Sequence, residues 1–308
     1  MYMRIWIAAA LAVATTSAQA AEVQRTIEKT IDSATSIEIL NIAGVYTIEG
    51  TSGGDVEIHA TVNAEDEALA NSIELEVDDR SNRVIVTTHY PLDDYRSFHY
   101  PGKEGQRWSR WGSETTSRYL GEYVRVVRKS SMRSPTLWVD YVVRVPNGVD
   151  VIVTNLAGDT TATNLVGELT VDTGSGQVEA RAGQGDFHAD TGSGDVLVSE
   201  HTGSVTADTG SGDVVVRNLK GSVRADTGSG DIRLENLTAD RVSADTGSGD
   251  VIAEDVTVAD DLSVDTGSGD VVVRGDLSGV RRIDIDTGSG NVELASDNFP
   301  AADIEIDT

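Results

Sequence analysis

The sequence predicts an all-β chain, a single-chain parallel β-helix (solenoid) with coils of 18 to 21 residues. Three observations predict it. The motif DTGSG begins at Asp172, Asp190, Asp208, Asp226, Asp245, Asp265 and Asp286, at spacings of 18, 18, 18, 19, 20 and 21 residues. A period in this range marks a stacked repeat in which no single unit can bury its own apolar face. Apolar residues alternate within each period, as in Val214, Val216, Leu219, Val223 and Ala225, then Ile232, Leu234, Leu237, Val242 and Ala244. Period-2 alternation is the signature of short strands. Aromatics make up only 5% of the chain, which suits a thin core of small branched side chains.

Taken from the beginning, residues 1–20 read as a secretory signal. Arg4 gives a positive start, Ile5 to Val13 is apolar, and Ala18-Gln19-Ala20 is a small-residue cleavage site, so cleavage is expected after Ala20. That apolar run is too short to span a bilayer. The protein is therefore expected to be exported, to the periplasm or to the cell surface and beyond, with no membrane span. The chain has no Cys, which excludes disulfides and thiol chemistry.

Residues 21–150 read as a divergent β region. Ile37 to Ala43 alternates and then turns at Gly44; Val45 to Ile48, Val56 to Val62, Ile73 to Val77 and Val84 to Thr88 continue as strands. A short helix is expected from Ala64 to Ala70 with Asn63 as its N-cap. Within this region, residues 90 to about 133 form an insertion that holds Tyr90, Tyr95, Phe98, Tyr100, Trp108, Trp111, Tyr119 and Tyr123 among seven arginines. Residues 151–308 are the DTGSGDV-repeat β-helix. One degenerate copy, Thr154-Asn155-Leu156-Ala157-Gly158, precedes the first full motif. Each coil should carry two strands, joined by a corner at the Leu237-type position and by the Gly-Ser-Gly turn. Glycine there answers a need for positive φ or for close backbone approach. Arg217, Arg224, Arg233 and Glu235 lie between the inward positions and should face water.

The segments IEILNIAGVYTIEG and VPNGVDVIVTNLAGD, followed by serial TGSGDV coils behind a signal peptide, resemble a family of exported bacterial adhesin-like proteins, domain of unknown function 4097. The resemblance covers about residues 30 to 308 apart from the insertion. It implies a right-handed β-helix-like fold and an adhesin-like role, and it brings no catalytic residues.

The net charge of −27 sets the chain against nucleic acid and anionic membrane as partners. DTGS also occurs in aspartic proteases, but those need two loops whose carboxylates converge on one proton. Seven stacked copies give a column of carboxylates with no facing pair. Repeats this uniform offer no cluster of unlike catalytic groups, so the chain reads as a non-enzyme, and a polysaccharide-active β-helix enzyme is the weaker alternative.

Two acidic columns flank each turn: Asp190, Asp208, Asp226, Asp245 and Asp265 in the first, Asp195, Asp213, Asp231, Asp250 and Asp270 in the second. Their expected role is structural. The first Asp should accept backbone N–H groups two or three residues on, and the second column tolerates amides at its ends, Gln177 and Asn291. Calcium is the alternative ligand, since hard oxygen donors line a Gly-rich turn; no cofactor is otherwise expected. The Thr column should point inward, against an ice-binding role. The strip Arg107-Trp108-Ser109-Arg110-Trp111 alternates guanidinium forks with ring faces, so Arg107, Trp108, Arg110 and Trp111 are the candidate partner-binding residues. The insertion can equally be a cap over an open coil end. The leading expectation is a non-enzymatic exported binding or scaffold protein of the cell envelope. Its partner would be an envelope glycan or protein, with self-association as a variant. A periplasmic regulatory or envelope-stress accessory protein, acting through protein contacts, is the alternative.

Overall fold

The computed structural model describes residues 23–80, 83–102, 114–296, 298 and 302–308. The expected signal segment lies outside them. Met1–Gly176 and Gln177–Thr308 form two compact units. Both are β structures, and the parallel β-helix expected from the repeat is the fold.

In the second unit the strands form two parallel runs. One run stacks Val178–Arg181, Val196–Thr202, Val214–Lys220 and the first part of Ile232–Thr246. The other stacks Phe187–Thr191, Val205–Thr209 and Val223–Thr227. Register is kept coil on coil, Val196 on Val214 on Ile232, and Ala207 on Ala225 on Ala244. The inward set is the one that alternation picks out. Val214, Val216, Leu219, Val223 and Ala225 are all buried, and Arg217 and Arg224 are exposed.

The corner of each coil differs from the expectation. Leu219 and Leu237 are interior residues, 1% exposed each. The bend is made one position earlier, by Glu200, Asn218, Asn236 and Asp255, whose φ values of 54–55° are left-handed. A side chain that bonds locally tolerates that conformation, which accounts for the two asparagines. The second glycine of the turn is required by close approach. A Cβ on Gly212 would lie 2.1 Å from the carbonyl oxygen of Gly194 in the coil below.

The turn is also tied from inside. The Thr227 hydroxyl donates to the Gly212 carbonyl at 2.9 Å, and Thr209, Thr246 and Thr266 repeat the bond with Gly194, Gly230 and Gly249. These threonines are at most 1% exposed, so the column is interior, as alternation requires.

The first unit starts the same architecture by a longer route. Ser36–Ala43 pairs in parallel with Asp150–Ala157, and Tyr46–Thr51 with Thr160–Thr163. Residues 36–51 and 150–163 are thus successive coils. Asn41 sits opposite Asn155, and the two asparagines occupy the register of the interior threonine, since Asn155 pairs with Thr173. Their amides bind the same kind of carbonyl. Asn41 Nδ2 donates to Val139 O and Ala43 O, and Asn155 Nδ2 donates to Gly44 O and Ala157 O.

Arg83–His89 and Leu137–Pro146 form the layer beyond residues 36–51. Asp55–Ala64 continues the sheet antiparallel to Leu137–Pro146, and Val23–Asp32 pairs antiparallel with Asp55–Ala64 in turn. The helix is Glu67–Ser72, capped by Asp66, whose carboxylate accepts the Leu69 N–H at 2.8 Å. The expected cap, Asn63, is instead a buried strand residue that donates to Asp140 Oδ2. Strand pairing on both sides of Asp55–Ala64 holds residue 63 extended, and the first free capping side chain is Asp66.

Candidate recognition groove

The insertion divides its aromatic residues between two tasks. Tyr90, Phe98, Tyr100 and Tyr119 are buried, and they build a ring cluster with Tyr46, Tyr141 and Trp138. Tyr46 and Tyr141 stack at 5.0 Å, Tyr90 lies 5.1 Å from Phe98 and Tyr100 5.8 Å from Trp138. Their hydroxyls tie the cluster to the coil that begins at Ser36. Tyr90 donates to Asn41 Oδ1, Tyr119 donates to Thr88 O and Leu40 O, and Tyr141 shares a 2.6 Å bond with Thr88 Oγ1. Burial pushes the Tyr90, Tyr119 and Tyr141 hydroxyls well above their ordinary range, so they stay protonated as donors. This half of the insertion packs on the coil that begins at Ser36.

The other half makes a surface. Ser97–His99 and Glu114–Tyr119 flank Glu122–Val127 in a separate three-stranded sheet. Along Glu122–Val127 alternation puts Val124 and Val126 inward and Tyr123 and Arg125 outward. The turn 131–134 closes against this sheet through reciprocal Ser131–Ser134 backbone bonds and a Ser134 Oγ to Ser97 Oγ bond of 2.8 Å. His99 fastens the same segment. Its ring bonds Thr136 Oγ1 at 2.9 Å and the Arg128 carbonyl at 3.1 Å, which makes Nε2 the donor and Nδ1 the acceptor. Burial holds its pKa below the ordinary value, in keeping with that neutral tautomer.

Between sheet and turn lies an open groove of about 590 Å³, lined by Tyr95, Arg96, Arg125, Arg133 and Tyr123 together with the carboxylates of Asp94 and Glu114. Arg96 reaches Glu122 at 3.4 Å and Arg125 reaches Glu114 at 3.5 Å, both among half-exposed side chains. Such loose surface pairs contribute little and open readily. The sequence between residues 90 and 133 carries nine Lys and Arg against five Asp and Glu, in a chain of net charge −27. The groove itself sets three guanidiniums and two tyrosine rings against two carboxylates, in an acidic protein.

The strip expected to carry recognition, Arg107, Trp108, Arg110 and Trp111, lies outside the described residues. Arg96, Arg125, Arg133, Tyr95 and Tyr123 were not singled out by sequence reasoning. The period-2 pattern YVRVV at 123–127 is the signal that could have found two of them.

The acidic columns are placed as follows. Asp195, Asp213, Asp231, Asp250 and Asp270 form a ladder between coils. Each carboxylate accepts the backbone N–H of the next member at 2.9–3.1 Å, and Asp270 accepts from Asn291 N at 2.8 Å. The last member in this ladder, Asn291, needs only to donate, so an amide serves there. The first column corrects the expectation. Asp190, Asp208, Asp226, Asp245 and Asp265 stack in register on the outer face, and among the described residues none accepts a turn N–H. The interior threonine and the second Asp already hold the turn. Partial burial, with the like charges of Asp226 and Asp265, raises the pKa of Asp245. Among the described residues no group of three or more His, Asp or Glu side chains is placed to hold a metal ion, and no helix is long and apolar enough to cross a membrane.

No curated protein matches the chain. It is similar to several solved structures, among them the following three. A putative adhesin from Parabacteroides distasonis is 14% identical, with a TM-score of 0.48 over 88% of this chain and 97% of that one. A putative lipid binding protein from the same organism is 13% identical, TM-score 0.46, over 92% and 96%. A putative adhesin from Bacteroides fragilis is 13% identical, TM-score 0.38, over 92% and 97%. The sequence profile described as Toastrack DUF4097 matches residues 142–235 and again 217–307, more than half of the chain. The chain belongs to the Toastrack DUF4097 family.

Proposed function

We propose that the protein is a non-enzymatic, exported binding protein, adhesin-like in role, whose recognition surface is the insertion and whose β-helical coils are a rigid support. One observation carries this reading. The insertion is where the chain breaks its own repeat, and there it assembles three guanidiniums and two tyrosine rings around an open groove. A cap alone requires only the buried rings. The coils, by contrast, repeat one structural solution, in which each polar side chain near the turn is consumed by a hydrogen bond or faces water. A binding role also fits an exported chain of net charge −27, which stays soluble while a local cationic site selects its ligand.

The test is a binding screen of the exported protein against arrayed glycans and fractionated cell-envelope material. Saturable binding to one class, lost when the groove residues Tyr95, Arg96, Tyr123, Arg125 and Arg133 are replaced with Ser while the coils stay folded by circular dichroism, is the expected result. Binding unchanged by that replacement would move the recognition surface elsewhere. Turnover of a glycan during the screen would overturn the non-enzymatic reading.

A further inference from the structure

We propose that the groove bounded by Arg96, Arg125, Arg133, Tyr95 and Tyr123 is a site for a short carboxylated saccharide. The assignment rests on the binding-protein reading and adds the chemical class of the ligand. Its volume of about 590 Å³ is that of a pocket for a small ligand or a few sugar rings. Guanidinium groups present paired N–H donors in the plane that a carboxylate accepts. Arg96 and Arg125 are held only by pairs of 3.4 and 3.5 Å, so each can exchange its Glu for a ligand carboxylate at little cost. Arg133 is exposed and makes no ion pair among the described residues, which leaves its whole fork for a ligand. Tyr123 is 63% exposed, and Arg118 lies over its ring at 4.8 Å. That contact fixes the ring while one face remains for the apolar side of a sugar.

A second copy of the chain is the competing occupant, since its outer Asp column is also a row of carboxylates. It fits less well. The column is a row of in-register like charges on a sheet face, which offers the arginines no single carboxylate apart from its neighbours. Two bodies of −27 also repel on approach, whereas a short saccharide brings only a few charges.

The probe is tetragalacturonate, measured by isothermal titration calorimetry on the full exported protein, with its methyl ester as the neutral control. The expected result is saturable binding that weakens as salt rises and falls at least about tenfold for the ester. Arg125→Gln with Arg133→Gln should weaken binding at least about tenfold with an unchanged far-UV spectrum, since each removes a charge-assisted hydrogen bond. Arg133→Gln alone, at an exposed position outside the sheet, keeps the test valid if the double variant misfolds, and should cost several-fold. Equal binding of acid and ester, or no effect of Arg133→Gln, overturns the assignment. If the protein self-associates in sedimentation velocity and Arg133→Gln abolishes that, the second copy is the occupant and the proposal falls. If envelope material binds as before to the Arg variants, the binding-protein reading stands and this groove is not its site.

Discussion

Replacing His201 with Leu should stabilise the second unit, and more so in acid. His201 sits in an interior column, opposite Leu219, which stacks in turn on Leu237. Its side chain is buried beside Phe187, with ring centroids 6.3 Å apart. Nε2 donates to the Gly185 carbonyl at 2.7 Å, so Nδ1 carries the lone pair, and that buried atom has no hydrogen-bond partner. Leu forfeits the one hydrogen bond, about 1 kcal/mol, and removes the orphaned acceptor, which costs about 1–3 kcal/mol. It also adds buried apolar surface, about 1 kcal/mol on area. The net gain at pH 7.5 is about 2 kcal/mol, several degrees of Tm for a unit of this size. Burial, opposed by the Gly185 bond and the charge of Asp186, holds the pKa of His201 below its ordinary value. The unfolded chain then takes up the proton first. Wild-type stability should fall by about 1.4 kcal/mol per pH unit from about pH 6.5 down to the folded pKa, and the variant lacks this loss. Thermal melts of both proteins at pH 7.5 and pH 5 measure it. A lower Tm for the variant at pH 7.5, or a gap that does not widen at pH 5, would refute the reasoning.

Gly212→Val should cost more than about 4 kcal/mol, because the new Cβ meets backbone 2.1 Å away, whereas Asp213→Asn keeps an acceptor for Asp231 N and should cost about 1 kcal/mol or less. Equal urea midpoints for the two would contradict the ladder. Removing one coil, Asp208 to Ala225, should leave a folded, shorter protein, since Asp226 to Thr227 can take over the register of Asp208 to Thr209 on Phe187–Thr191. Loss of the β signal in circular dichroism would count against nearest-neighbour stacking. Millimolar calcium should raise Tm only slightly and without saturation, because the second Asp column already accepts backbone N–H groups; a saturable rise reversed by chelator would restore the calcium reading.

The parts of this protein that depend on spacing could be read from its sequence. Period and alternation place Val214, Val216 and Thr227 inside without any knowledge of their contacts. What spacing could not supply is the partner of each polar group in the next coil. The two Asp residues of DTGSGDV look alike along the chain, and only stacking separates the one that accepts a neighbouring N–H from the one that faces water. The corner was misplaced by one residue because its side chain varies from Glu200 to Asn218 to Asp255, and what those residues share is a backbone angle. In the insertion, Arg and Trp are densest at 107–111, and no spacing in the sequence groups Arg125 with Arg133. Arg125 and Arg133 lie eight positions apart and meet Arg96 at the groove through strand pairing and a turn.

The stacking of residues 36–51 on 150–163 has a consequence for how the chain folds. Asn41 and Asn155 are opposed across 114 positions, while coils of the second unit close loops of 18 to 21 residues. At equal stiffness the longer closure costs about 1.6 kcal/mol more in chain entropy. A chain crossing a membrane from its N-terminus would deliver Ile37 and Tyr46 early; Val84 can cover one side of Ile37 soon after, but Val151 on its other side and both partners of Tyr46, Tyr141 and Thr160, arrive about a hundred residues later. Meanwhile the apolar faces of the first strands stay open, and holdase chaperones would act there. The repeats need no such wait: each new coil finds its template in the one just made.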